Sequence, residues 1–482
     1  MGAETAVTAP WDSVPAHEQL FVLITGANSG VGLGTAQRLI DEFLATRSLD
    51  SHLVLLPTTR SASKSLHTIR EIRSYAQRAA QTNARGGESW QRTVGRIHVL
   101  SLTVDLCDLR SVRRLADKLT NGTVGNPPGL EGEYLNRVRV PRLDSVVCNA
   151  AFGGWTGVDY PAAVWSMLTK GLLQSVTWPT FKNALPTCIL NERESLGYIR
   201  PPLTQPAAPL LGEVFTACVF GHYMLAHQLL PLLSRSQSSP VAPGRIIWSS
   251  SLEAVADVFT PDDLQGFNRP AAYESAKRLT DILALTYSLP SVRPLSSRWA
   301  AVADGDEKEK RKGKAKEKER LVVAPKMYVT HPGIVASTLF PVPWFLFWAY
   351  ELTLVLSRWL GSPWHTVDGY TGAKAAVWVA LEDQDALDSS HADRIKWGST
   401  SDRRLRVDVK PTEVEGWGWQ GKVEDPEADT ALGVLHKTKG RKNGAAQVME
   451  EDIVRFEELG TRCWKAMEEL RGTWEDIVKK DG

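Results

Sequence analysis

Tyr273 and Lys277, in the stretch Ala272-Tyr-Glu-Ser-Ala-Lys277, carry side chains that can deliver a proton to a carbonyl. Their spacing of four puts both on one face of a helix, where they meet the same ligand. A free tyrosine holds its proton to a pKa near 10. A neighbouring ammonium group is expected to lower that value and make the phenol a usable acid near neutral pH. Far upstream, Thr25-Gly26-Ala-Asn-Ser-Gly30-Val-Gly32 follows an apolar run and opens a helical pattern. Glycines in such a turn let a ligand approach the main chain, and the amides at a helix N-terminus favour an anionic diphosphate. Gly26, Asn28, Ser29, Gly30, Val31 and Gly32 are therefore candidates to hold a dinucleotide. Together the two elements imply hydride transfer; either alone would be weak.

Further candidates lie at predicted strand ends. After the second strand, a site for NAD would place an acidic residue against the ribose hydroxyls. This chain has Arg60 and Ser61 there, with Lys64 close behind, and Arg60 suits a bidentate contact with a 2′-phosphate, which implies NADPH/NADP+. Asp105 follows the third strand and is placed to meet an adenine edge. Asn149, with Ala150 and Ala151, follows the fourth, where small residues let a cofactor lie against the sheet. Asp and Asn also cap strand ends for purely structural reasons. Ser249-Ser250-Ser251 follows the fifth strand, where a hydroxyl could stabilise a carbonyl oxygen as it gains charge. The strand pattern favours Ser251, with Ser250 the alternative. Glu253 to Pro270 must then form an extra loop before Tyr273. No cysteine pair or histidine cluster has metal-ligand spacing, so no metal is expected.

The elements that must position these residues alternate between short apolar runs and helical patterns, the signature of a parallel sheet with crossover helices. Strands are predicted at Leu20–Ile24, Leu53–Leu56, Ile97–Leu100, Leu143–Asn149, Arg245–Ser249 and Met327–Thr330, and a helix runs from the glycine turn to Leu44. The fold class is α/β, a Rossmann-like doubly wound parallel sheet in a single enlarged domain over residues 18–382. Insertions are expected at about 152–211 and 296–321. Residues 383–482 read as a C-terminal extension: Ser389 to Ala446 is polar and glycine-rich, and an amphipathic helix follows from Val448 to Leu470.

A net charge of +1 argues against nucleic acid as a partner, because phosphate binding needs a basic surplus. Asp304 to Arg320 is nearly all charge of both signs and reads as a solvated loop. The five cysteines are scattered, which fits a reduced compartment, and Met1 to Gln19 lacks the layout of a signal peptide. Pro341 to Leu360 is rich in Trp and Phe, but Glu351 and Arg358 interrupt it, so a membrane span is not expected. It reads either as an interfacial segment or as a lid over an apolar pocket.

The TGxxxGxG turn, Asn149-Ala-Ala, the serine after the fifth strand and YxxxK resemble the short-chain dehydrogenase/reductase family over residues 18–382. The resemblance makes Ser251, Tyr273 and Lys277 catalytic, with Lys277 also holding the nicotinamide ribose. His331-Pro332-Gly333-Ile-Val335 is similar to the family's Pro-Gly segment, which implies cofactor contacts at Gly333, Val335 and Ser337. Finer features resemble one branch, the fungal 3-keto-steroid reductases: Glu213 to Tyr223, Trp178-Pro-Thr-Phe-Lys182, Lys396-Trp-Gly-Ser399 and Glu413 to Trp419. That branch implies NADPH-dependent reduction of the 3-keto group of a C-4-demethylated sterol in ergosterol biosynthesis. It also implies work beside the other C-4 demethylation enzymes, on the cytosolic face of the endoplasmic reticulum or lipid droplets. Reduction of another lipophilic ketone or aldehyde, and a non-catalytic scaffold in the same pathway, are the alternatives. Cys218 stands where the family commonly places an Asn that supports a proton relay to the lysine, and Ala151 replaces a usual Gly.

Overall fold

An apolar run of four to six residues can be buried along its whole length only if helices cover both faces of its sheet. The computed structural model describes residues 6–82, 89–185, 209–268, 271–301, 322–423 and 440–480. Nine strands form its main sheet: β1 (Gln19–Ile24), β2 (His52–Thr59), β3 (Ile97–Val99), β4 (Leu102–Thr103), β5 (Ser145–Cys148), β6 (Arg245–Ser249), β7 (Lys326–His331), β8 (Lys396–Ser401) and β9 (Val407–Thr412). The order is β9-β8-β7-β6-β5-β1-β2-β3, with β4 beside the end of β2. Every pairing is parallel except that of β8 with β9. The sheet is thus the doubly wound α/β arrangement read from the sequence.

Eight helices matter to the site: α1 (Gly30–Thr46), α2 (Ala62–Thr82), α3 (Leu109–Asn121), α4 (Gly221–Gln228), α5 (Ala272–Thr286), α6 (Phe347–Trp359), α7 (Lys374–Leu381) and α8 (Glu450–Lys480). The pleat sends successive side chains to opposite cores. Phe21, Leu23, Val54, Leu56, Val146, Ile246, Trp248, Met327 and Val329 pack toward α3, α4, α5 and α8. Val22, Ile24, Leu53, Leu55, Val147, Ile247 and Tyr328 pack toward α1, α2 and α7.

The polar stretch Ser389–Ala446 supplies β8 and β9, which the sequence reading left without structure. The terminal helix is longer than its apolar periodicity suggested, reaching Lys480, and Cys463, Trp464 and Met467 are fully buried in the core shared with α5. Residues beyond 382 therefore complete the same sheet and core. In the insertion that begins near residue 152, the described part holds helices Tyr160–Lys170 and Leu172–Thr177 and an antiparallel hairpin of Trp155–Val158 with Lys182–Ala184. Residues 186–208 of that insertion and the charged run Asp304–Arg320 lie outside the described residues. Among the described residues no helix is long and apolar enough to cross a membrane, and no group of side chains has a metal-binding arrangement.

Candidate active site

The order of strand addition reverses at β1, with β2 on one side and β5 on the other. Crevices at such switch points, outside the carboxyl ends of parallel strands, are where doubly wound sheets take ligands. The glycine turn leaves β1 there. Gly26 has φ +66° and Gly30 φ +53°, a region that favours glycine. A Cβ on Gly32 would sit 2.3 Å from the Gly26 carbonyl oxygen, so only glycine fits. A Cβ on Gly30 would meet nothing within 4 Å. Ser29 is the N-cap of α1 but its side chain does not cap the helix. The first-turn amides of an α-helix have no intrahelical acceptor, so this end presents N–H groups beside Gly30, Val31 and Gly32. The Asn28 side chain reaches Ser29 Oγ at 3.4 Å.

Asn149 Nδ2 donates to the carbonyls of Thr25 (3.0 Å) and Gly26 (3.5 Å), locking the turn to the end of β5. Thr25 Oγ1 accepts from the amides of Asn149 and Ala150 at 2.9 and 3.0 Å and pairs with His222 Nε2 at 2.8 Å. Burial, with Lys277 nearby, pulls the His222 pKa down to about 3. The motif shows Thr25 but not this use of its hydroxyl, and His222 acts through groups that folding brings to it.

At the next strand end, Arg60 is exposed, Ser61 is half-buried, and Lys64 lies exposed on the first turn of α2. Arg60 forms no ion pair among the described residues, although its charge is felt at Cys107 beside Asp105. One Asp105 oxygen accepts from the Cys107 amide at 3.0 Å, a local turn bond that occupies half the carboxylate. Beyond β7, Gly333 has φ +73°, and a Cβ there would stand 2.3 Å from the Trp364 carbonyl oxygen. Val335 pairs with Val367 in a short parallel bridge, and Ser337 lies half-buried just beyond it.

The two serines that follow β6 have different partners. Ser250 is buried and its Oγ donates to the Lys277 carbonyl at 3.4 Å. The Ser251 side chain instead accepts from the Glu253 amide at 3.1 Å and lies close enough to the Tyr273 phenol to favour its ionised form against burial. Lys277 Nζ lies 5.5 Å from the Tyr273 ring centre and donates to the Ser249 carbonyl at 2.6 Å. Ser251, Tyr273 and Lys277 thus converge at the edge that also carries the glycine turn.

Each residue of the loop Ser249–Glu253 is held from outside. The Ser249 carbonyl takes Lys277, the Ser250 amide donates to Thr330 at 2.7 Å, and the Ser251 carbonyl accepts from Lys396 Nζ at 2.6 Å. The Leu252 carbonyl accepts from the Trp178 indole at 3.0 Å, and the Glu253 carboxylate pairs with Lys182.

One expectation reverses. The phenol of Tyr273 is pushed well above its ordinary value, not below it, because burial opposes ionisation and the Glu253 carboxylate adds to that effect. Lys277 is itself lowered by burial, which weakens its pull as a cation. Tyr273 therefore rests firmly protonated. Cys218 sits in a π-helical turn, Thr216–Phe220, ahead of α4. Its thiol exchanges contacts of 3.5 Å with the Phe152 amide and carbonyl, and burial keeps it protonated.

No protein-family model matches the sequence. The chain is 62% identical over 480 residues to the 3-keto-steroid reductase ERG27 of Gibberella zeae, covering 98% of this chain and 97% of that protein. It is 39% identical over 469 residues to the 3-keto-steroid reductase erg27 of Aspergillus fumigatus, covering 95% of each. Among solved structures, salutaridine reductase from Papaver somniferum aligns over 76% of this chain and 97% of its own, at 14% identity and a TM-score of 0.37. With relatives this similar along nearly the whole length, the chain belongs to the 3-keto-steroid reductase family and is an oxidoreductase.

Proposed function

We propose that this protein uses NADPH to reduce the 3-keto group of a C-4-demethylated sterol to the 3-hydroxy sterol, in ergosterol biosynthesis. The observation that carries the reading is the meeting of Ser251, Tyr273 and Lys277 beside the glycine turn, in a chain so similar to named 3-keto-steroid reductases. The residues fit a phosphorylated dinucleotide: a helix N-terminus without a side-chain cap, open space at Gly30 and an exposed Arg60 that forms no ion pair among the described residues. Gly26, Gly30, Gly32 and the α1 amides would hold the diphosphate, and Arg60 with Ser61 and Lys64 a 2′-phosphate. A bound NADPH supplies the hydride.

Ser251 orients the substrate oxygen by hydrogen bonding. As the carbonyl carbon gains hydride, its π electrons move to that oxygen, and the Tyr273 O–H bond breaks to protonate it. A phenol held protonated by burial suits this direction of reaction, since reduction consumes a proton. Lys277 fixes the Ser249 carbonyl and has further N–H groups for a ribose.

An apolar path supports a sterol as substrate. Trp155 lies 4.7 Å from the Tyr273 ring, Phe340 lies 6.4 Å from Trp155, Tyr350 stacks on Phe340 at 5.1 Å, and Phe347 follows at 5.9 Å. The path leads to α6, where Trp348, Leu352, Leu356 and Trp359 form an exposed stripe next to Trp344, which is 87% exposed. Trp165 and Leu168 are exposed on the neighbouring inserted helix. Aromatic and aliphatic side chains so arranged suit a lipid surface. This supports peripheral contact with the cytosolic face of the endoplasmic reticulum or with lipid droplets, near the other C-4 demethylation enzymes.

The test is NADPH oxidation by purified protein against a panel of 3-keto sterols and unrelated ketones. Turnover confined to 3-keto sterols, and lost in Tyr273→Phe without loss of NADPH binding, is the expected result. Equal turnover of unrelated ketones, or an active Tyr273→Phe variant, would overturn it.

A further inference from the structure

The inserted hairpin brings a buried cation to the catalytic phenol. Lys182, whose side chain is 3% exposed, lies with its Nζ 4.0 Å from the Trp155 ring centre and 5.8 Å from that of Tyr273. It pairs with Glu253 and, at 2.5 Å, with Glu274. Glu253 stands two residues beyond Ser251, and Glu274 directly follows Tyr273 in the chain. The second oxygen of Glu274 is buried without a hydrogen-bond partner among the described residues. Two carboxylates on one ammonium leave a negative charge beside the phenol. Trp178, four residues before Lys182, bonds the loop at Leu252, so the insertion grips the loop twice.

A buried ion cluster of this kind is a poor means of gaining stability, because desolvation cancels much of the attraction. It does fix geometry and charge. We propose that Lys182, Glu253 and Glu274 are positioning residues for catalysis: Lys182 pins the inserted hairpin and its Trp155 across Tyr273, and the Glu253 and Glu274 carboxylates anchor that lysine to the serine loop and to α5 and set the charge beside the phenol. The proposal rests on the reductase reading above and adds to it a role for three residues outside the Ser251, Tyr273 and Lys277 set.

The groups that face each member are few. Tyr273 meets Ser251, Glu253 and Glu274, with Lys182 and Lys277 over its ring and the Cys218 thiol close by. Glu253 meets Lys182 and Glu274, and its charge is felt at Tyr350 on α6. Burial pushes the Glu253 carboxyl up to about 7 against the pull of Lys182, so it is ionised above that pH. In that range it opposes ionisation of the phenol.

The experiment compares wild type with Glu253→Gln and Lys182→Met. The rate of 3-keto sterol reduction at saturating NADPH is followed from about pH 6 to about pH 11, the loss of proton donation by phenol ionisation being expected in wild type only above about pH 10. Removing a like charge should move that basic limb down by roughly one pH unit or more in Glu253→Gln. A carboxylate with a merely structural role would leave the limb where it was. In parallel, hydrogen exchange at residues 155–158 and 182–184 should quicken at least several-fold in Lys182→Met. The proposal falls if Glu253→Gln keeps the wild-type limb, or if hairpin exchange is unchanged in Lys182→Met. Glu253→Gln is nearly isosteric and decides the matter alone where Lys182→Met does not fold. Should wild type not reduce 3-keto sterols at all, the functional reading fails, while the exchange measurement still decides the clamp.

Discussion

Replacing Lys396 with Met tests how the serine loop is supported from the far edge of the sheet. Lys396 Nζ lies 2.7 Å from Asp281 Oδ2 and 2.6 Å from the Ser251 carbonyl. The two side chains are 3% and 0% exposed, and the other Asp281 oxygen already lacks a partner among the described residues. Removing the lysine strands a buried carboxylate, a loss of about 3–5 kcal/mol. Asp281 also faces the charges of Lys277 and Arg278, which soften the loss toward the lower figure. Unfolding entropy near 2.1 cal/mol/K per residue gives about 1 kcal/mol/K for 482 residues, so a loss of about 3 kcal/mol lowers Tm by about 3 °C. Melting of Lys396→Met, Asp281→Leu and the double variant, by calorimetry, reads this directly. The double variant should recover most of the loss, because both charges leave together. The freed Ser251 carbonyl should lower kcat in Lys396→Met with NADPH affinity kept. Additive losses in the double variant, or a single-variant shift below about 1 °C, would refute the reasoning.

Four other outcomes are expected. Arg60→Asp removes a charge-assisted contact of about 1.5–3 kcal/mol and should raise the NADPH KM roughly ten-fold or more, with little change for NADH; equal changes would remove the assignment. Gly32→Ala forces a Cβ against the Gly26 carbonyl, an overpacking of about 1–3 kcal/mol, and should weaken NADPH binding in a fluorescence titration. His222 and His365, lowered by burial to about 3 and about 4, contribute stability present above about 6.5 and lost as pH falls toward those values. Glu253, raised to about 7, acts in the opposite sense, losing its contribution as pH rises through that value, but it is outnumbered. Urea midpoints should therefore fall between about pH 6.5 and about pH 4.5, and His222→Gln should flatten the slope. Trp344→Glu with Trp348→Glu should reduce binding to phosphatidylcholine vesicles by at least about ten-fold, given about 1.5–3 kcal/mol for a large buried apolar side chain, with circular dichroism unchanged.

The parallel strands were legible because continuous apolar runs have few other uses; β6 runs from Arg245 to Ser249 as read. The glycine turn was legible for a similar reason, since its spacing before a helix has a specific physical meaning. The strands β8 and β9 were not. Lys396-Trp-Gly-Ser-Thr-Ser is polar yet mostly buried, Val407-Asp-Val-Lys-Pro-Thr is mostly half-buried, and the place of both in the sheet rests on their pairing with each other and with β7. Lys182, Glu253 and Glu274 were invisible as a group because an inserted hairpin, a loop and α5 bring them together. The same cluster explains the reversed expectation for Tyr273: YxxxK shows the lysine, while the carboxylate that acts on the phenol comes from another element.

The last helix has a bearing on how the chain is made. Trp464 on α8 donates to the Leu283 carbonyl of α5 at 3.2 Å, and Gly460 lets the two helices approach so closely that a Cβ would meet Thr286. The helix that bears the reactive phenol is synthesised well before the partner that covers its back. A ribosome-bound intermediate must therefore carry that apolar flank uncovered until α8 has emerged. Holdase chaperones should favour this stage, and a premature stop codon even shortly before Glu450 should yield insoluble product rather than a smaller enzyme.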